Sequence, residues 1–148
     1  MIKVGVKVAD FRLKDQYGKA FILSENLGRK VLLSFHPLAW TSVCSLQMKS
    51  LEDNLRAFEE KNTVAVGLSV DSIPCKSAWA KDIAVERTRL LCDFWPHGGL
   101  AVALGVFRGN EGTSERANII IDEKGLVSFV KVYPLPEVPD IEEILASL

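Results

Sequence analysis

The chain has 148 residues, of which 48% are hydrophobic and 25% are charged, and its formal net charge is −1. These values are typical of one soluble globular domain over residues 1–148, long enough to enclose a substantial core. The balanced charge lacks the basic excess of a nucleic-acid-binding surface, so no nucleic acid is expected as a partner. It also does little to oppose self-association, and we expect a homodimer.

The predicted elements alternate between strands and helices. In chain order they are a strand over 2–8, a hairpin of 11–13 and 20–23, a strand over 31–35, a helix over 42–61, a strand over 64–70, a helix over 74–85, a strand over 90–92, a helix over 97–104, a hairpin of 117–121 and 127–133, and a helix over 140–147. Strand–helix–strand connections favour parallel pairing, and the last hairpin adds an antiparallel edge. The sequence therefore predicts an α/β fold with a mixed central β-sheet, helices on both faces and an N-terminal β-hairpin.

The amino terminus and the cysteines bear on localisation. Residues 1–8 contain two lysines and no apolar segment of signal-peptide length. The uncharged stretch 31–48 contains proline, histidine and several hydroxyl side chains, which argues against a membrane span. The three cysteines, Cys44, Cys75 and Cys92, are odd in number and widely spaced, which argues against a disulfide framework. We therefore expect a cytoplasmic protein with free thiols and no membrane partner.

Cys44 is predicted to lie in the first turn of the helix that follows the uncharged loop 36–43. Unpaired backbone N–H groups and the helix dipole favour a thiolate there, and the thiolate is the reactive form. The spacing of Cys44, Met48 and Leu51 also fits one buried helical stripe, so an inert core cysteine is the competing interpretation.

Two residues of the loop favour the functional interpretation. Pro37 fixes one backbone φ angle near the start of the loop, and Thr41 brings a hydroxyl to the start of the helix. That hydroxyl can cap backbone N–H groups or bind a ligand oxygen, and Ser42 is an alternative cap. Apolar neighbours such as Trp40 would keep water out of a small pocket with a polar base.

The pattern Pro37-x-x-x-Thr41-x-x-Cys44 resembles the Pro-x-x-x-Thr/Ser-x-x-Cys motif of the peroxiredoxins, the AhpC/TSA superfamily. The resemblance covers nearly the whole chain, and the run 93–98 is most similar to the bacterial one-cysteine, AhpE-like branch. It implies a thioredoxin-like fold and thiol-dependent reduction of hydrogen peroxide and organic hydroperoxides. The implied partners are the peroxide and a thiol reductant such as thioredoxin or a glutaredoxin-like protein; we predict neither a cofactor nor a metal.

The resemblance also implies a role for each matched residue. Cys44 is implied to be the peroxidatic cysteine, Pro37 the proline that shields it, and Thr41 the hydroxyl that bonds the peroxide. Arg116 is implied to lie over the cysteine from across the site. Gln47 occupies the position of a frequent glutamate that orients the arginine, where it can accept a hydrogen bond but carries no charge.

The other two thiols leave the recycling step open. Cys75 follows Pro74 near the start of a predicted helix and resembles the resolving cysteine of some atypical two-cysteine members. Its attack on a sulfenic acid at Cys44 would give a disulfide, whereas an inert Cys75 would leave the reduction to an external thiol. Cys92, in a predicted buried strand, is expected to be a core residue. The alternative function is a thioredoxin-fold scaffold or binding domain without peroxidase activity.

Overall fold

A computed structural model describes residues 1–148 as nine strands and five α-helices. The strands are β1 Arg12–Lys14, β2 Ala20–Ile22, β3 Lys30–Phe35, β4 Thr63–Ser69, β5 Arg89–Cys92, β6 Phe107–Arg108, β7 Thr113–Ser114, β8 Arg116–Ile121 and β9 Val127–Tyr133. The helices are α1 Ser42–Asp53, α2 Leu55–Glu60, α3 Ile73–Asp82, α4 Gly99–Leu104 and α5 Ile141–Ala146, and a short 3-10 helix covers Leu23–Asn26. None of these helices has the length and apolar character that crossing a bilayer requires.

Five strands form the central sheet, in the order β5-β4-β3-β8-β9. The pairs β3–β4 and β4–β5 are parallel, whereas β8 is antiparallel to both β3 and β9. A second sheet is the amino-terminal hairpin of β1 and β2. The mixed sheet, its antiparallel edge and the N-terminal hairpin are therefore confirmed.

Two hydrophobic clusters cover the two faces of the central sheet. Along β3, Leu33 points into a cluster that includes side chains of β2 and α4, and Leu32 points into a cluster that includes side chains of α1, α2, α3 and α5. Successive side chains of a strand point to opposite faces, so a strand covered on both sides is apolar throughout. Cys44 belongs to the second cluster, and this places the start of α1 against the sheet.

Two local predictions differ from the structure, and one hairpin was missed. The helix predicted over 42–61 is two helices, because Asn54 leaves the helical conformation at φ −112° and ψ 16° and its side-chain amide donates to the Ser50 carbonyl at 2.7 Å. The strand predicted over 2–8 is reduced to one bridge between Lys7 and Leu126, since Gly5 turns the chain with φ +89°. The two-residue strands β6 and β7 form a further hairpin that we did not predict.

Candidate active site

The loop between β3 and α1 is held by hydrogen bonds to its own backbone and to the segment after β4. The Ala39 N–H donates to Asp71 Oδ2 at 2.9 Å, and the Thr41 hydroxyl donates to the Leu38 carbonyl at 2.8 Å. Between them Trp40 has φ 68°, in the left-handed region that bulky side chains rarely adopt. Such a conformation persists only where its surroundings enforce it, so the loop delivers the chain into α1 in one defined geometry.

Cys44 is the third residue of α1, and its side chain is buried, with 1% of the residue exposed. The first turn of α1 contains no acidic residue. Thr41 occupies the N-cap position, but its side chain makes no capping hydrogen bond, and Ser42 already lies inside the helix. Neither proposed cap is therefore formed, and the partial positive charge at this helix end acts on the Cys44 thiol.

Arg116 opens β8 and reaches the cysteine from the neighbouring strand. Its Nη1 lies 3.3 Å from Cys44 Sγ and donates to Gln47 Oε1 at 2.7 Å, while its Nε donates to the Leu135 carbonyl at 2.9 Å. Arg116 is only 3% exposed, and none of the five ion pairs of the molecule includes it. No carboxylate neutralises this guanidinium, so its full positive charge faces the Cys44 sulfur.

Gln47 fixes the position of the guanidinium with both ends of its amide. A guanidinium only donates hydrogen bonds, so the Gln47 atom facing Arg116 is the amide oxygen. The amide nitrogen then donates to Ser34 Oγ at 2.8 Å and to the Phe35 carbonyl at 3.1 Å. A glutamate could accept from Arg116 but could not donate to that carbonyl. The uncharged Gln47 therefore joins β3, α1 and β8 around Cys44.

We expect Gln47→Met to lower the free energy of unfolding and to lower the reactivity of the Cys44 thiol. Methionine has a similar size but leaves the Phe35 carbonyl and the Arg116 guanidinium with one partner fewer, and a buried unpaired group costs about 1–3 kcal/mol. Urea denaturation and the rate of alkylation of Cys44 by iodoacetamide measure the two effects. Leu46→Met, on the exposed side of the same helix turn, is the matched control. Equal stability of both variants would contradict the structural role of the amide.

The structure brings together Cys44 and Arg116 by direct contact but not all the predicted site residues. Pro37 is half-buried at the start of the loop, and Thr41 is exposed three residues before the cysteine. Cys75 is the third residue of α3, and its thiol donates to Asp71 Oδ1 at 3.6 Å. Burial and the Asp71 charge raise the pKa of the Cys75 thiol, so the helix amino terminus does not make it a thiolate.

The third cysteine and two basic residues are buried beside this site. Cys92, at the end of β5, is 7% exposed, and burial raises the pKa of its thiol to about 11, which agrees with the predicted core position. Sequence reasoning assigned no part of the site to His36 and Lys76, which are both fully buried. The spacing of Lys76 and Trp79 on the buried face of α3 was the signal that could have located the lysine.

Comparisons with known proteins identify the family. The model of the AhpC/TSA family matches residues 4–130. Alkyl hydroperoxide reductase E of Mycobacterium tuberculosis (strain ATCC 25618 / H37Rv) is 36% identical over 141 residues, which cover 95% of this chain and 92% of that protein. Peroxiredoxin 2 of Sulfurisphaera tokodaii is 31% identical over 151 residues, which cover 98% of this chain and 70% of that protein.

Solved structures give the same result. The crystal structure of peroxidoxin BcpB from Mycobacterium tuberculosis matches with a TM-score of 0.87 and 29% identity, covering 99% of this chain and 96% of that one. The reduced 2-Cys peroxiredoxin of Plasmodium vivax matches with a TM-score of 0.87 and 29% identity, covering 96% of this chain and 78% of that one. The fold and these relatives identify a thiol peroxidase with a thioredoxin-like fold. The chain belongs to the AhpC/TSA family, the peroxiredoxins, which confirms the predicted family, fold and enzyme class.

Proposed function

We propose that this enzyme reduces hydrogen peroxide and organic hydroperoxides by attack of the Cys44 thiolate. The observation that carries the proposal is the 3.3 Å contact between Cys44 Sγ and the Nη1 of Arg116, a buried guanidinium without a carboxylate partner. A thiolate is the nucleophile that the reaction needs, and a desolvated positive charge beside the sulfur favours it. The position of Cys44 in the first turn of α1 acts in the same direction.

The reaction is a displacement at oxygen. Cys44 Sγ attacks the terminal peroxide oxygen, the O–O bond breaks, and the cysteine becomes a sulfenic acid while the leaving oxygen takes up a proton. Arg116 and the backbone N–H groups of the first turn of α1 are the donors for the negative charge that develops on the leaving oxygen. The Thr41 oxygen, whose own proton is directed to the Leu38 carbonyl, is the acceptor for the peroxide O–H. Pro37 closes the start of the loop against water.

We propose that an external thiol, rather than Cys75, reduces the sulfenic acid. The Cys75 thiol is held by Asp71, and burial together with the Asp71 charge raises the pKa of this thiol. Attack on a sulfenic acid needs a thiolate, and these surroundings disfavour it. A thiol protein of the thioredoxin or glutaredoxin kind is the reductant that we propose.

We further propose a homodimer in the cytoplasm. Several large apolar side chains remain on the surface, and Trp95 is 82% exposed, Trp40 54% and Phe94 51%. Exposed aromatic side chains of this size favour contact with a second protein surface. All three cysteines are free, which suits a reducing compartment. Sedimentation velocity measures the oligomeric state directly.

The proposed cycle is tested by the intact mass after one equivalent of hydrogen peroxide. We expect the wild type and Cys75→Ser each to gain one oxygen, and we expect Cys44→Ser to stay unchanged. A loss of two protons in the wild type that is absent from both Cys75→Ser and Cys44→Ser would instead establish a disulfide between Cys44 and Cys75 and refute the external-thiol proposal. An unchanged wild-type mass would refute the role of Cys44 altogether.

A further inference from the structure

A buried basic pair, Lys76 of α3 and His36 after β3, lies beside the active-site helix and has no part in the reaction described above. Both residues are 0% exposed. Lys76 Nζ donates to His36 Nε2, and His36 Nδ1 lies 3.4 Å from the Ser34 carbonyl. Burial and the Lys76 charge hold the pKa of His36 well below its usual range, so the neutral imidazole accepts from the lysine ammonium.

The surroundings of Lys76 are unusual for a buried charge. No ion pair of the molecule includes this lysine, and Asp71 is the only carboxylate with a resolved effect on its pKa. Its remaining neighbours are polarisable, since Nζ lies 4.9 Å from the centre of the Trp79 ring. An ammonium without a contacting carboxylate is costly to bury, and such groups lose their charge readily. Burial accordingly lowers the pKa of Lys76 to about 8.

Lys76 is connected to the helix turn that carries Cys44. The Trp79 ring lies tilted by 39° to the His36 ring, with 5.4 Å between the ring centres, and its indole N–H donates to Ser45 Oγ at 3.2 Å. Ser45 follows Cys44 in the chain, and Cys44 and Trp79 share one hydrophobic cluster. In a core of low dielectric, the charge of Lys76 can act on Cys44 without a direct contact between the two side chains.

The charged and titratable groups around the pair come from every neighbouring element. Asp71 precedes α3, Cys75 belongs to α3, Cys92 ends β5 and Cys44 belongs to α1; each of the four raises the pKa of Lys76 when it carries a negative charge. From β8, Arg116 acts on the imidazole and lowers the pKa of His36 further. Of the three thiols, only Cys44 has a guanidinium in contact with its sulfur, and the proposed function makes Cys44 the one that is oxidised.

We propose that Lys76, held by His36, is a positioning residue whose buried ammonium stabilises the Cys44 thiolate and releases its proton when Cys44 is oxidised. The proposal rests on the proposed function of Cys44. Interaction between the two charges is reciprocal: the ammonium favours the thiolate, and loss of the thiolate weakens the hold of Lys76 on its proton. The enzyme would thus store one of the protons that peroxide reduction consumes.

The Cys44 thiolate, the Lys76 ammonium and one hydroperoxide give the Cys44 sulfenic acid, the neutral Lys76 amine and one alcohol, or water when the substrate is hydrogen peroxide. The sulfur loses two electrons, and the two peroxide oxygens gain one each as the O–O bond breaks. The proton lost by Lys76 compensates the proton taken up by the leaving oxygen, so the solution supplies less than one proton for each oxidised cysteine.

The experiment counts the protons taken up from a weakly buffered solution when Cys75→Ser protein receives one equivalent of hydrogen peroxide. The pH is set just below 8, close to the pKa of Lys76. With Lys76 replaced by methionine in the same background, we expect proton uptake to rise to about one proton for each oxidised Cys44, against less than one in the parent, because no lysine proton is then released. Lys81→Met, an exposed lysine on the same helix, is the matched control and is expected to behave like the parent.

Three readouts separate the outcomes. The intact mass reports whether Cys44 gains an oxygen. If Cys44 gains none, the proposed function is refuted and not the role of Lys76. The thiolate absorbance before peroxide is added gives the starting charge of Cys44, so a protonated start is not mistaken for release from Lys76. The decisive case is the protein that retains Lys76 and starts with Cys44 as a thiolate. If this protein takes up one full proton, the proposal is overturned, even if Lys76→Met does not fold.

Discussion

Replacement of Cys44 by serine is expected to abolish peroxide reduction. A serine hydroxyl is not ionised at neutral pH, and no base lies beside it to take its proton, whereas a thiolate attacks without one. The change is small in volume and leaves Arg116 with its bonds to Gln47 and Leu135, so the fold is expected to persist. Loss of the nucleophile is expected to reduce the rate at least about a thousandfold, to that of the solution reaction.

Peroxide consumption with an excess of dithiothreitol measures this effect, and Cys92→Ala is the matched control. Cys92 is also buried, but its pKa of about 11 keeps it a neutral thiol in the core. The control is therefore expected to lose some stability and to keep its rate. Equal loss of activity in both variants would mean that removal of any buried thiol disrupts the enzyme, which would contradict a specific role for Cys44.

The architecture followed from the sequence where the local pattern and the final environment agree. The apolar run that became β3 predicted a strand covered on both faces, and its alternate side chains do enter two different clusters. The failures occur where one residue overrides the pattern. Gly5 bends the segment predicted as the first strand, and the Asn54 side chain competes for a backbone carbonyl and ends α1.

The site was predicted in part, and the limit has a physical reason. Periodicity placed Cys44 at the start of a helix but left it indistinguishable from a core residue. Its contact with Arg116 joins positions that are 72 residues apart, and only the family resemblance linked them in advance. The Gln47 amide nitrogen donates to the Phe35 carbonyl of β3, whereas Gln47 itself lies in α1. No local sequence pattern predicts this hydrogen bond between two elements.

The buried lysine shows a different limit of sequence reasoning. Lysine is almost never fully buried, so Lys76 is normally expected at the surface even where its helical neighbours form a buried stripe. The cost of burying it is reduced here by a neutral imidazole acceptor and an indole ring. Both partners come from the tertiary structure, since His36 is 40 residues away in the sequence.

Arg116→Met is the second variant for which a large effect is expected. Methionine fills much of the same space but removes the charge next to Cys44 Sγ and both charge-assisted hydrogen bonds to the protein. We expect the rate constant for peroxide reduction to fall about a hundredfold to a thousandfold, the range that follows loss of one donor to a developing negative charge. Stopped-flow tryptophan fluorescence with excess hydrogen peroxide measures the rate constant.

Arg116→Lys separates charge from geometry. The lysine retains a positive charge, but a single ammonium on a flexible stem cannot contact Leu135, Gln47 and Cys44 with the fixed fork of a guanidinium. We therefore expect Arg116→Lys to recover part of the thiolate absorbance lost in Arg116→Met but less of the rate. Arg108→Met, which removes a half-buried arginine paired with Glu115 at 4.0 Å, is the control for loss of one positive charge elsewhere in the protein. A folded Arg116→Met protein with the rate of that control would show that the position of Cys44 on α1 activates the thiol without the guanidinium.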